Sequence, residues 1–297
     1  TGPFGTGEIV HLLKRTMFGA KNPDVDHFAK KTLPQAIDEL LHPAEFSQPL
    51  PVNDFDQVGL FLPYGATWVD APYNNAEDDG FRIGSFKKWS LGVFINQDSS
   101  IREKMLLFWH NHFATHTDIG RCNLVWNHHK LLRNECLGNG KELTRKITLD
   151  PHMLRYLNGE ENTKLAHNEN YARELQELFC IGKGPDAKFT ESDVKQAAKI
   201  LTGWKVDLGK NTSYFKEEDH DISDKTFSSF YNNTVIKGQN GPGAGERELS
   251  DLLNMIFSNK ETALFICRRL YRWFVYYDID EAIEKSIIGP LADLLIK

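Results

Sequence analysis

Carboxylate, amide and guanidinium side chains are concentrated in one short segment of the chain, residues 168–179. With 100° between successive residues of a helix, these groups fall on one arc and the apolar residues fall on the opposite arc. The polar arc carries Glu169, Asn170, Arg173, Glu174 and Glu177, and the apolar arc carries Tyr171, Leu175, Leu178 and Phe179. The segment therefore predicts an amphipathic helix whose polar face is either solvated surface or the lining of a site.

Two interpretations of this polar face differ in their chemistry. Glu174 and Glu177 are three residues apart, so their carboxylates can bind a hard cation or act as a general acid and a general base. Arg173 would then orient a carboxylate or bind an anionic group, and Asn170 would contact the substrate. Alternatively, Arg173 forms helical ion pairs with Glu169 and Glu177, each contributing only about 0.2–0.5 kcal/mol.

The histidines of segment 108–116 form a second candidate site. His112 shares a helical stripe with apolar residues and points toward the core, whereas His110 lies on the opposite side and would contact the substrate. His116 follows His112 by four residues, a spacing that can hold a metal ion. The simpler interpretation is that His112 is a core histidine with one hydrogen bond and that His116 is exposed.

A third group is the pair His220–Asp221, followed by Lys225, in a segment of mixed pattern. A histidine–aspartate pair in a loop usually marks a turn. A substrate-binding role for His220 and Asp221 stays open beside that interpretation.

Composition narrows the classes of function. The formal net charge is −6 and no basic cluster with interleaved aromatic residues occurs, which argues against nucleic-acid binding. No run of about 18 apolar residues occurs, so no transmembrane helix is predicted. The chain begins at Thr1 without an initiator methionine, and we expect that a targeting segment has been removed.

The four cysteines say less about function than the charge and hydrophobic pattern do. Cys122, Cys136, Cys180 and Cys267 include no C-x-x-C spacing, so a structural zinc site made of thiolates is not expected. Cys122 and Cys136 are close enough in sequence to bridge adjacent helices, but buried free thiols are the simpler expectation.

The hydrophobic pattern predicts a mainly α fold, with one multi-helix domain over residues 1–297 that is truncated at its C-terminus. Long irregular loops are expected at 42–80 and 204–245, with a short β-hairpin around 204–216. Two helix starts carry a capping-box pattern, Ser100 with Glu103 and Thr190 with Asp193. The loop at 42–80 is rich in proline, acidic and aromatic residues, and loops of this length are often functional.

Taken together, several segments resemble a large bacterial family known as domain of unknown function 1800. The matching segments are HLLKRTMFG at 11–19, IREK at 101–104, FWHNHF at 108–113, DPHMLRYL at 150–157, the helix at 168–182 and the stretch 190–204. Phe189 stands where the family usually has a tyrosine, immediately before the stretch 190–204. His220, Asp221 and Lys225 match a further segment of the family.

The resemblance implies a location and a partner rather than an activity. Similar proteins are typically exported, which implies an extracytoplasmic location that is periplasmic, on the cell surface or secreted. Their genes often lie beside a family that resembles alkaline phosphatases and sulfatases, named domain of unknown function 1501, which implies a partner of that kind. A site built from motif positions would combine His110, His112, Glu169, Arg173, Glu174, Glu177, His220 and Asp221.

The sequence therefore leaves two functions of different classes open. The first is an exported hydrolase or metal-dependent enzyme using a divalent cation, in which Glu174, Glu177 and His112 meet in one cleft as acid, base or metal ligands. The second is a non-catalytic binding or assembly module of the cell envelope, in which the charged helix face is an ion-paired network. Its contact surface for a carbohydrate or a protein would be an aromatic loop. The aromatic residues of that loop are Phe61, Tyr64, Trp68 and Tyr73.

Overall fold

The computed structural model describes residues 4–43, 49–55, 62–119 and 121–296. The chain groups into two compact units, Thr1–Gly138 and Asn139–Lys297. Both units consist of helices, and the second also contains two small two-stranded sheets. The predicted mainly α fold is confirmed, whereas the prediction of one domain over the whole chain stays a prediction.

The first unit is built from six helices in its described part. They are α1 (Thr6–Thr16), α2 (Asn22–Phe28), α3 (Leu33–Leu41), α4 (Ala76–Ile95), α5 (Arg102–His112) and α6 (Cys122–Glu135). Helix α4 begins inside the range 42–80 that the sequence pattern assigned to a loop. Asn75 caps it, because its Oδ1 accepts a hydrogen bond from the Asp78 N–H at 2.9 Å.

Trp68 belongs to the core of the first unit and not to an exposed aromatic surface. Its side chain is 0% exposed, and its Nε1–H donates to the Ser85 Oγ at 3.0 Å. The indole packs in one apolar cluster with Phe86 and Trp126. The prediction that Trp68 forms part of a contact surface is therefore wrong, since a large side chain in an apolar cluster is a packing residue. Phe61, from the same prediction, lies outside the described residues.

Glu103 does not form the predicted capping box at the start of α5. The carboxylate is wholly buried and pairs with Arg133 of α6, while the Ser100 Oγ accepts the Arg102 N–H at 3.3 Å. Burial raises the pKa of Glu103, and the Arg133 guanidinium acts in the opposite direction. A tertiary ion pair therefore takes the place of the local hydrogen bond.

The second unit contains eight helices and four strands within its described residues. The helices are α7 (Gly140–Thr148), α8 (Pro151–Tyr156), α9 (Asn170–Glu174), α10 (Glu191–Ile200), α11 (Ala244–Ser258), α12 (Lys260–Phe274), α13 (Glu281–Ile283) and α14 (Gly289–Leu295). The strands are β1 (Trp204–Asp207), β2 (Thr212–Phe215), β3 (Lys225–Thr226) and β4 (Val235–Ile236). Antiparallel pairing of β1 with β2 and of β3 with β4 gives the two sheets, and the first pair confirms the predicted hairpin.

Helix α9 continues as a π-helix, Leu175–Cys180, and this changes which side chains face the core. The Ile181 N–H donates to the carbonyl oxygen of Gln176, five residues back, at 2.8 Å. Because each π turn holds an extra residue, the α-helical phase is lost and Leu178 is 43% exposed. The prediction that Leu178 lies on the apolar arc is wrong, and the buried position is taken by Gln176.

Gln176 is satisfied inside the core of the second unit. Its Nε2 donates to the Ala172 carbonyl at 3.1 Å, and its Oε1 accepts from the Tyr231 hydroxyl at 2.8 Å. The π-helix ends at Cys180, and Gly182 follows it with a φ of +93°. Gly182 leaves no room for a side chain, since an added Cβ would lie 2.8 Å from the Phe265 ring. Helix α9 and the π-helix that continues it are called the motif helix below. The amide of Gln176 joins this motif helix to the segment that carries Tyr231.

All four cysteines are free and buried, which confirms the simpler expectation for them. Burial raises the pKa of Cys136 to about 11. These thiols behave as small apolar side chains rather than nucleophiles.

The burial of Trp68 generates a stability prediction. Trp68→Ala removes a fully buried indole and is expected to lower the free energy of unfolding by about 3–5 kcal/mol. Tyr64→Ala, in the same loop but 67% exposed, is the matched control and is expected to change it little. Urea unfolding followed by circular dichroism measures both. Equal effects of the two substitutions would contradict the core position of Trp68.

Candidate functional site

Arg173 is the centre of the charged face that the sequence singled out. Its guanidinium donates to both carboxylate oxygens of Glu191, from Nη1 to Oε1 at 2.7 Å and from Nη2 to Oε2 at 2.6 Å. Glu169 accepts a longer bond at 3.3 Å, and the Glu177 carboxylate lies 3.8 Å away. The two predicted helical partners are therefore present, but the main partner is Glu191, in the first turn of α10.

The hydrogen bonds between Arg173 and Glu191 shift both groups toward their charged forms. They raise the pKa of Arg173 and lower the pKa of Glu191. Glu177 is also engaged elsewhere, since its Oε2 lies 2.7 Å from the Lys183 Nζ. This face is an ion-paired network at the surface, where solvent screens each pair and limits its contribution to stability.

Glu174 differs from the other carboxylates of the motif helix. Within the described part of the chain, its Oε2 is buried and has no hydrogen-bond partner. A buried carboxylate oxygen without a partner requires an explanation, since leaving such a group unsatisfied is unfavourable. Asn170, by contrast, is exposed and donates from Nδ2 to the Leu157 carbonyl at 3.3 Å.

His220 lies in a completely buried polar cluster. Its Nδ1 is 3.0 Å from the Thr202 carbonyl oxygen, and its Nε2 is 3.2 Å from Glu248 Oε1. Lys225 donates from Nζ to Glu248 Oε2 at 2.6 Å, and the Gln239 N–H donates to Oε1 at 2.7 Å. The His220, Lys225 and Glu248 side chains are 0% exposed. The cluster joins the end of α10, the 220–225 segment and α11.

Asp221 lies at the outer edge of this cluster and forms a turn. Its Oδ1 accepts from the backbone N–H of Ser223 at 2.8 Å, and its Oδ2 is 3.0 Å from His167 Nε2. Burial would raise the pKa of Asp221, but the hydrogen bonds from Ser223, the charge of Lys225 and the hydrogen bond with His167 together lower it. The turn interpretation fits Asp221, while His220 faces inward.

The two histidines of α5 belong to the first unit. His112 is buried among the rings of Phe108, Trp109 and Phe113, as its helical stripe predicted. Burial lowers the pKa of His110, and the neighbouring His128 acts in the same direction. Glu174 and Glu177 belong to the second unit, so a common cleft with His112 stays a prediction.

A metal centre is not evident from the arrangement of side chains. Over the residues that the structure describes, no group of three or more His, Cys, Asp or Glu side chains is arranged to hold a metal ion. His116 is exposed and lies 3.5 Å from the Asp118 carboxylate. Across the same residues, none of the helices combines the length and the apolar character that crossing a bilayer requires.

Two residues of these networks were not predicted as site residues. Glu191 stands in the capping-box segment that begins at Thr190, but nothing in its spacing relates it to Arg173, eighteen residues earlier. Glu248 is one of several charged residues at the start of α11, and no local signal separates it from them. Both are carboxylates whose partner is distant in sequence.

The buried cluster generates a second prediction. Lys225→Met leaves the Glu248 carboxylate buried with less positive charge beside it, and is expected to lower the free energy of unfolding by about 3–5 kcal/mol. Lys237→Met removes an exposed lysine that pairs with Asp224, and is expected to leave stability nearly unchanged. Denaturant unfolding at neutral pH compares them. A small effect of Lys225→Met would show that the cluster contributes little to the fold.

Comparison with known proteins gives a family but no activity. A family model described as a protein of unknown function, DUF1800, matches residues 11–294. Neither the comparison with curated proteins nor the one with solved structures returns a match. Since the matched region spans nearly the whole chain, including the motif helix and the buried cluster, the chain belongs to the DUF1800 family of proteins of unknown function.

Proposed function

We propose that this chain is a non-catalytic binding or assembly module of the cell envelope, with its contact surface on the loop that carries Tyr64 and Tyr73. The observation that supports this most is the exposure of both rings, which is 67% for Tyr64 and 39% for Tyr73. The Arg121 guanidinium lies over the Tyr73 ring, 4.4 Å from its centroid. Exposed aromatic rings beside arginine are typical of carbohydrate and protein interfaces.

The backbone around Tyr64 is fixed by Asn53, which favours a preformed surface. The Asn53 N–H donates to the Ala66 carbonyl at 2.8 Å, and its Nδ2 donates to the Leu62 carbonyl at 2.8 Å. The Gly65 N–H in turn donates to the Asn53 carbonyl at 2.8 Å. A ring on a turn that is fixed by hydrogen bonds loses less conformational entropy on binding than a ring on a turn without them.

The charged groups that an enzyme would use are mostly engaged with one another. Arg173 is held by Glu191, Glu177 by Lys183, and Lys225 by Glu248. These pairs support a structural role for the motif helix and the buried cluster. The fold would then serve as a scaffold for the contact loop.

We propose an extracytoplasmic location, periplasmic, on the cell surface or secreted, because the family resemblance implies export. Two ligand classes fit the contact loop, an envelope carbohydrate and a protein partner related to alkaline phosphatases and sulfatases. The aromatic rings suit both, so the experiment includes both.

The proposed contact surface leads to a prediction for the binding role of Tyr64. Wild-type protein is expected to cosediment with purified peptidoglycan sacculi, or to form a complex with the phosphatase- or sulfatase-like protein of its own gene neighbourhood on size-exclusion chromatography. Tyr64→Ala is expected to weaken that binding about tenfold or more, as for a central aromatic contact. Tyr214→Ala, which removes a tyrosine that is 49% exposed on β2, is the matched control and is expected to bind normally. Unchanged binding by Tyr64→Ala would refute the proposed surface.

A second candidate function is a hydrolase or metal-dependent enzyme that uses Glu174. The buried, unpartnered Oε2 of this carboxylate favours it specifically, since such an oxygen suits a general acid, a general base or a cation ligand. Arg173 and Glu177 would then position Glu174 rather than react.

This candidate is tested by elemental analysis of protein purified without chelators. A metal-dependent enzyme predicts stoichiometric divalent metal in the wild type and its loss in Glu174→Gln. Glu218→Gln, an exposed carboxylate of the same unit, is the control and is expected to retain the metal. Equal metal content in the wild type and Glu174→Gln would exclude Glu174 as a required ligand.

A further inference from the structure

The imidazole ring of His220 is buried, and both of its nitrogens face oxygen atoms. Nδ1 lies 3.0 Å from the carbonyl oxygen of Thr202 and 3.1 Å from the Thr202 Oγ1. Nε2 lies 3.2 Å from Glu248 Oε1. A neutral imidazole donates from one nitrogen and accepts at the other, whereas an imidazolium donates from both. The partners of the two nitrogens therefore decide which form the folded protein holds.

Thr202 offers acceptors to Nδ1. Its hydroxyl donates to the Lys199 carbonyl oxygen at 2.7 Å and accepts from the Asp221 N–H at 2.9 Å. A hydroxyl has a single hydrogen to donate, so the one on Thr202 is already used, and the Thr202 carbonyl oxygen can only accept. Nδ1 must therefore carry a hydrogen, because its lone pair would otherwise face oxygen lone pairs at 3.0 and 3.1 Å.

Glu248 offers an acceptor to the other nitrogen. Its Oε2 accepts from Lys225 Nζ at 2.6 Å, and its Oε1 accepts from the Gln239 N–H at 2.7 Å. Hydrogen bonds of this kind favour the carboxylate over the carboxylic acid. An Nε2 without a hydrogen would place its lone pair 3.2 Å from a carboxylate oxygen. The arrangement thus favours a hydrogen on Nε2 as well as on Nδ1.

The charges around the ring also suit an imidazolium. The titratable side chains that contact the ring or its hydrogen-bond partners are Glu248 of α11, Lys225 of β3, and Asp221 with His167 at the outer edge. The segment after α10 and the end of β2 face the ring with the uncharged groups of Thr202 and Phe215. An imidazolium and the Lys225 ammonium balance the carboxylates of Glu248 and Asp221, whereas a neutral ring would leave one negative charge in excess.

We propose that His220 is held as an imidazolium and acts as a proton-dependent latch that fastens the 220–240 segment onto α11. The hydrogen on Nε2 joins the ring to Glu248, so its loss sets two lone pairs against each other and releases the ring. The folded protein then binds one proton more than the unfolded chain does at alkaline pH, so the stabilisation is complete at low pH and is lost as the pH rises. This latch goes beyond the proposed contact surface and uses none of its residues.

The latched segment also contacts the residues that lead into the motif helix. The Lys164 N–H donates to the Asp219 carbonyl oxygen at 2.8 Å, and His167 Nε2 lies 3.0 Å from Asp221 Oδ2. Residues 164–167 immediately precede Asn168, with which the motif segment of the sequence begins. Release of His220 is therefore expected to loosen the 164–167 turn together with the 220–240 segment.

Nitrogen-15 NMR of the histidine side chains tests the protonation of the ring. In wild-type protein at neutral pH, both ring nitrogens of His220 are expected to carry a hydrogen, with the ring assigned through its own backbone signals. The measurement needs no variant, so it stands even where a substitution in the core prevents folding. A His220 ring with a single protonated nitrogen at neutral pH would overturn the proposal.

Hydrogen exchange followed by mass spectrometry tests the latch. Protection factors of the 220–240 segment, corrected for the intrinsic exchange rate at each pH, are expected to fall about tenfold or more from neutral to alkaline pH, because a charge-assisted hydrogen bond is lost. Helix α12, which contributes no residue to the cluster, is the internal reference and is expected to keep its protection. A wild-type segment whose protection does not depend on pH would exclude the latch.

Two variants assign the pH dependence to one histidine. His220→Gln removes the titratable ring, and its 220–240 segment is expected to lose the fall in protection. His167→Gln, at an exposed histidine that pairs with Asp221, is the matched control and is expected to keep that fall. Loss of the pH dependence in His167→Gln would place the titrating group outside the buried cluster and would overturn the role of His220.

Discussion

The second unit depends on one buried carboxylate, that of Glu248. It accepts hydrogen bonds from Lys225 and from the backbone N–H of Gln239, and it faces the ring of His220. Removing such charges from water is unfavourable unless every polar atom finds a partner, so the surrounding segments must adopt one arrangement to satisfy them. The short strands β3 and β4 are too small to fix that segment alone, and the carboxylate supplies the missing constraint.

The sequence was sufficient for much of the fold where local chemistry decides the outcome. Thr190 and Asp193 form the expected capping box of α10, since the Thr190 N–H donates to Asp193 Oδ2 at 2.7 Å and the Asp193 N–H donates to Thr190 Oγ1 at 3.2 Å. The same pattern at Ser100 and Glu103 gave the wrong result, because Arg133 on another helix binds the carboxylate. Local spacing identifies which side chains can cap a helix, but it does not reveal a competing partner elsewhere in the chain.

The contacts of the candidate site could likewise be predicted from the sequence only where both partners lie on one helix. Helical spacing correctly placed Glu169 and Glu177 beside Arg173, since residues four apart share a face. It gave no indication of Glu191, which reaches Arg173 only because α9 and α10 pack together. Trp68 is the opposite case. The composition of its loop suggested exposed aromatic rings, but the Trp68 side chain lies in the core. Tertiary packing, which periodicity does not encode, decides both cases.

The π turn in the motif helix has a consequence for how chain length can vary. Its Gln176 carbonyl accepts both the Ile181 and the Gly182 N–H groups, at 2.8 Å and 3.2 Å, so the turn absorbs one more residue than an α turn would. A relative lacking that residue could close the turn as an ordinary α turn, and the residues that flank it would keep their phase. Only side chains within the turn, such as the buried Gln176 and the exposed Leu178, would change the direction in which they point. A one-residue deletion in this turn can therefore be absorbed locally, whereas in a regular α-helix it would rotate every following residue by about 100°.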